Sequence, residues 1–65
     1  MPRNTRYDHD RQLRRVYLEA FGKGYVGAWA RKEAVPVFAP TSEEDKARVL
    51  GYADGAMAGR TARDA

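Results

Sequence analysis

The stretch LRRVYLEAFGKGYVGAW, residues 13–29, decides how this chain is read, because it holds most of the large apolar side chains and three of the six glycines. At about 100° per residue, Leu13, Val16, Tyr17, Ala20, Phe21, Gly24, Tyr25 and Ala28 fall on one broad face of a helix. Arg15, Glu19 and Lys23 fall opposite. Within the apolar face, Ala20, Gly24 and Ala28 recur every four residues and leave a shallow row along which a second helix can approach. Gly22, Gly24 and Gly27 each cost a helix up to about 1 kcal/mol relative to alanine, so the helix is expected to bend or break there unless packing compensates.

Outward from this stretch, the chain reads as one small helical domain. Residues 1–6 form an arm, and Asn4, Thr5 or Asp8 can cap a first helix over residues 7–34. Pro36 disfavours helical geometry at Val35 and ends it. Residues 35–41 then make a proline-bracketed connector in which Phe38 is the side chain able to plug onto the helices. Thr41 with Glu44 reads as a capping box for a second helix over residues 42–60, and residues 61–65 read as a frayed tail.

The second helix carries two stripes. Val49, Leu50, Ala53, Ala56 and Met57 make one, and Gly51, Gly55 and Gly59 make the other. Both helices also share a Gly-Tyr followed by small residues, at Gly24-Tyr25 and Gly51-Tyr52. A two-helix chain covers only one of the two stripes, so the other is left for a partner. The expectation is an all-α two-helix hairpin dimerised into a four-helix arrangement. Its helix-packing or dimer contacts would come from Ala20, Gly24, Ala28, Leu50, Gly51, Ala53, Gly55 and Met57, with Trp29 and Phe38 closing the connector end.

Composition narrows the function classes. A chain of 65 residues buries only about 60% of its unfolded surface, which makes dimerisation a natural source of added stability. It has no cysteine, hence no disulfide framework and no thiolate zinc site. No apolar run approaches the roughly 18 residues of a membrane span, and MPRNTRYDHD places charges where a signal peptide needs apolar residues, so a cytoplasmic protein is expected. The formal net charge of +3 is unevenly spread. Residues 1–32 hold eight Lys/Arg against three Asp/Glu, and residues 33–65 hold four against six. Arg3, Arg6, Arg11, Arg14 and Arg15, interleaved with Tyr7 and Tyr17, suit phosphate contacts on RNA, although the same pattern also serves as a solvated helix face.

Signals of catalysis are weak. Gly22-Lys23-Gly24-Tyr25-Val26-Gly27 spells GxGxxG, but the strand before it and the parallel sheet around it are missing, so no dinucleotide cofactor is expected. His9 lies between Asp8 and Asp10, and consecutive side chains on a helix diverge too far to share a metal ion. With one histidine and no cysteine, no acid-base or nucleophilic apparatus is evident, and the chain reads as a binding protein rather than an enzyme.

Gly24-Tyr25-Val26-Gly27-Ala28-Trp29-Ala30 is followed by Arg31, Lys32, Glu33 and Pro36, and Leu50-Gly51-Tyr52 is followed by Ala56-Met57-Ala58. These two segments resemble the motifs of the ribosome modulation factor family, small basic bacterial proteins of two helices around a proline-containing connector. The resemblance covers about residues 20–58. It implies binding to the small ribosomal subunit and inhibition of translation, with Arg31, Lys32 and the front-half arginines Arg11, Arg14 and Arg15 touching ribosomal RNA. A rival reading is a phage or mobile-element accessory protein that binds and blocks a host protein complex as a homodimer. A DNA-binding helix-turn-helix ranks last, since VPVFAPT exceeds the usual three or four residues of that turn.

Overall fold

The computed structural model describes residues 5–31 and 40–65. They form two helices, α1 (Arg11–Trp29) and α2 (Glu43–Asp64), and no strand among the described residues. α1 starts four residues later than the sequence pattern suggests. Tyr7 has φ 61°, a left-handed conformation that a right-handed helix cannot contain. Residues 5–10 are instead turns, in which the Asp8 N–H donates to the Thr5 carbonyl and the Asp10 N–H to that of Tyr7. The cap is therefore Asp10, whose Oδ1 accepts from the Leu13 N–H at 3.1 Å, and not Thr5 or Asp8; Asn4 lies outside the described residues.

The far end of α1 also comes early. Arg31 has φ 56°, and its N–H turns back to the Ala28 carbonyl, so the helix stops at Trp29 and does not run to residue 34. Between these ends α1 is one unbroken helix through Gly22, Gly24 and Gly27. The capping box of α2 is shifted by one residue from Thr41 and Glu44. Ser42 Oγ accepts from the Asp45 N–H, while the Asp45 carboxylate accepts from the Thr41 N–H and hydroxyl. Lys32, Val35, Pro36 and Phe38, together with Arg3, lie outside the described residues.

The two helices pack lengthwise in a parallel register. Tyr17 lies against Gly51, Phe21 against Gly55 and Tyr25 against Gly59, so like ends meet. At the start of both helices Gln12 Nε2 donates to Glu44 Oε1 at 3.3 Å; at their ends Arg63 donates to the Ala28 carbonyl at 2.8 Å. The two-helix packing is the one expected, but its direction differs from the antiparallel sense that a hairpin ordinarily has. The chain between Trp29 and Glu43 can reach about 45 Å when extended, more than the length of α1, about 28 Å, so the return is sterically open. The Arg63 bond also gives α2 a reason to continue to Asp64: residues 61–64, expected to fray, are helical and held to the C-terminal end of α1.

The seam is made of backbone and small residues. Tyr17, Ala20, Gly24 and Ala28 are the buried positions of α1, and Ala47, Gly51, Gly55, Ala56 and Gly59 those of α2. A Cβ added at Gly51, Gly55 or Gly59 would run into the carbonyl oxygen of Tyr17, Phe21 or Tyr25 respectively, and one at Gly24 into that of Tyr52. This approach lets Cα–H groups of one helix face carbonyls of the other. The small-residue row predicted to receive a partner helix does receive one, and that helix is α2 of the same chain. Ala20, Gly24, Ala28, Gly51 and Gly55 are thereby covered within one chain and are not available to a dimer, while Leu50 and Ala53 are half-buried and Met57 is exposed.

Two glycines make opposite predictions. Gly55→Ala places its methyl 2.8 Å from the carbonyl carbon of Phe21 and is expected to destabilise the pair by about 1–3 kcal/mol despite its gain in helix propensity. Gly22 has nothing within 4 Å of such a methyl, so Gly22→Ala is expected to stabilise by about 0.5–1 kcal/mol. Thermal melts followed by circular dichroism check both; a Gly55→Ala melt equal to or above wild type would contradict the close seam.

Candidate nucleic-acid interface

The turns at residues 5–10 are fastened to the helix pair by one carboxylate. Tyr17 is the only large side chain fully buried among the described residues, and its hydroxyl donates to Asp54 Oδ2 at 2.7 Å. Arg6 Nε lies 2.7 Å from the same oxygen. Tyr7 packs its ring on Tyr17 at 5.7 Å between centroids, and Tyr17 on Phe21 at 6.0 Å. A buried hydroxyl is retained at small cost only where it is hydrogen-bonded, which is what Asp54 supplies. The sequence reading placed Tyr17 on the apolar face but missed this latch. The available signal was a tyrosine at the head of a small-residue row, whose hydroxyl has to find a polar group on the facing helix.

The latch divides the arginines of the front half. Arg6 is paired with Asp54, and Arg14 donates to the Arg6 carbonyl at 2.7 Å and lies 3.6 Å from Asp8. Arg11 and Arg15 stand exposed on α1, and no ion pair to either occurs among the described residues. Arg11, Gln12, Arg14, Arg15 and Leu18 line an open depression of about 560 Å³ on the outer side of the helix. This is the one place where the structure gathers predicted RNA-binding residues.

It does not gather all of them. Arg31 is exposed just beyond the opposite end of α1, and sixteen to twenty residues of helical rise put it about 24–30 Å from Arg15 and Arg11. Lys32 is outside the described residues. Between the two basic ends runs a stripe the sequence reading did not single out. Leu18 is 45% exposed, Val26 65% and Trp29 50%, with Gly22 open in the middle. Helical phase puts these four within about 80° of arc, away from the seam.

Other features offer less. A mixed cleft of about 210 Å³ on the opposite flank is lined by Val16, Glu19, Ala20, Lys23, Arg48 and Tyr52. No group of three or more His, Cys, Asp or Glu able to hold a metal gathers among the described residues, and none of their helices is long and apolar enough to cross a membrane. Comparison of the chain with known families, with characterised proteins and with solved structures finds no match. The likeness to ribosome modulation factor therefore rests on the quoted residues alone, and two of these, Gly24 and Gly51, are seam glycines that the packing itself requires.

The latch has a graded test. Tyr17→Phe removes one hydrogen bond from a buried site and is expected to lower unfolding stability by about 0.5–1.5 kcal/mol. Arg6→Ala removes an ion pair whose arginine is half exposed, and its effect is expected to stay within about 1 kcal/mol. Urea denaturation of the two variants checks the order, and a larger loss from Arg6→Ala would reverse it.

Proposed function

We propose that this chain is a small non-catalytic binding protein of the cytoplasm that docks the basic outer side of α1 onto structured RNA, in the first instance the ribosome, and inhibits translation there. The observation that carries this reading is the pair Arg11 and Arg15, exposed, uncommitted to any carboxylate of the described residues, and set beside the exposed Leu18. Guanidinium groups displayed on a rigid helix bind phosphates bidentately and release counterions from RNA as they do so. Trp29, further along the same side, offers an aromatic surface on which an unpaired base can stack. The front-half charge of the sequence and the likeness to ribosome modulation factor point the same way.

The rival reading, a blocker of a host protein complex, draws on the exposed apolar residues Leu18, Val26 and Trp29. Salt separates the two. Fluorescence anisotropy with a labelled small-subunit ribosomal RNA fragment is expected to give affinity that falls steeply with salt, and Arg11→Ala/Arg15→Ala is expected to flatten the log–log slope by about 1.5–2. The same double variant is expected to relieve inhibition in a cell-free translation reaction. Binding that is insensitive to salt and to the two arginines would remove the RNA reading in favour of a protein target.

A further inference from the structure

The basic depression on α1 borders cations that the chain holds to its own carboxylates. Arg14, one of the lining residues, donates to the Arg6 carbonyl at 2.7 Å and lies 3.6 Å from Asp8 Oδ1. Arg6 in turn places its Nε 2.7 Å from Asp54 Oδ2 on α2. The two carboxylates stand where phosphates would stand if Arg6 and Arg14 joined Arg11 and Arg15 in one site. The core does not need the Arg6 pair. Tyr17 donates to the same Asp54 oxygen at 2.7 Å, and that bond stays when Arg6 departs, so the buried hydroxyl keeps its acceptor. The cap of α1, from the Leu13 N–H to Asp10 Oδ1, is likewise made without Arg6.

We propose that Asp54 is an internal competitor of RNA: it masks Arg6 in the unbound chain, and RNA phosphate displaces it. The exchange lifts residues 5–8 off the flank of α2 and releases Arg14 beside Arg11 and Arg15. The proposal rests on the RNA reading above and names how that same site is regulated.

Three features poise the exchange. The Arg6 side chain is 53% exposed, so a phosphate reaches it without opening the helix pair, whereas Asp54 is 25% exposed and stays in place. A guanidinium pairs with phosphate in bidentate fashion and releases counterions from RNA as it does so, gains that the Nε contact to Asp54 lacks. Tyr7 holds φ 61° in the docked arm, a left-handed conformation costly for a tyrosine, and that strain is relieved when the arm lifts. Its ring, packed on Tyr17 in the docked arm, then becomes able to stack on an unpaired base. The competitor sets a threshold: an isolated phosphate meets Arg11 and Arg15, and only an RNA that crowds several phosphates against the helix also gains Arg6 and Arg14.

A double-mutant cycle separates competition from the mere loss of a negative charge. Asp54→Asn keeps an acceptor for the Tyr17 hydroxyl and removes the charge that holds Arg6. With a labelled small-subunit ribosomal RNA fragment at fixed salt, Asp54→Asn is expected to bind about three- to fivefold tighter than wild type, the worth of one exposed ion pair. In an Arg6→Ala background that gain is expected to vanish. A gain that survives Arg6→Ala is a general charge effect and overturns the inference, as does an Asp54→Asn protein that binds no tighter; both leave the RNA reading standing. The wild-type protein supplies a second measurement that no variant can spoil. Nuclear Overhauser contacts between the Tyr7 and Tyr17 rings are expected in the free chain and are expected to disappear in the RNA complex. Contacts that persist in the complex overturn the inference. RNA that binds neither wild type nor Asp54→Asn removes the RNA reading, and this inference with it.

Discussion

Everything in this fold depends on two backbones being allowed to touch. The carbonyls of Tyr17, Phe21 and Tyr25 project from α1 onto Gly51, Gly55 and Gly59 of α2, at positions where no side chain could be interposed. Such a seam buries little hydrocarbon: apart from Tyr17, its core residues are alanines and glycines. Its strength comes instead from close dispersion contact over the length of both helices and from carbonyls facing Cα–H groups. The glycines that weaken each helix alone are thus the condition for the pair.

A core this thin shifts weight onto the edges. Asp54 gathers Tyr17 and Arg6 on one oxygen, which ties the turns before α1 to the flank of α2. Ser42 and Asp45 fix the start of α2, and Arg63 satisfies a carbonyl at the end of α1. Each is a polar contact worth about 1 kcal/mol in a typical protein. With one large side chain fully buried among the described residues, they decide where the helices begin and end.

Much of this was legible in the sequence, and what was not has physical causes. Helical periodicity placed Tyr17 on the same face as the row Ala20, Gly24 and Ala28, all four of them buried, and marked the glycine stripe of α2, because both follow from side-chain phase alone. The direction of packing was not legible, since a row of small residues accepts a helix running either way. The boundaries moved for local reasons: left-handed Tyr7 and Arg31 at the ends of α1, and the choice of Ser42 over Thr41, which depends on which hydroxyl meets the Asp45 N–H. At the basic face, the sequence identified the arginines but could not tell those held by Asp54 and Asp8 from the exposed Arg11 and Arg15, because that distinction is made by the folded-back turns.

The parallel register has a kinetic meaning. In an antiparallel pair the contacts next to the turn are separated by a few residues, and pairing can zip outward from them. Here Gln12–Glu44, Tyr17–Asp54 and Ala28–Arg63 join residues 32, 37 and 35 apart, so both ends and the middle of the seam demand nearly the same loop closure. No short-range contact exists between the helices to lower the entropy of forming the next. Such a chain folds with a high relative contact order for an all-helical protein, more slowly than helix pairs of its size ordinarily do, and it unfolds without a residual paired end.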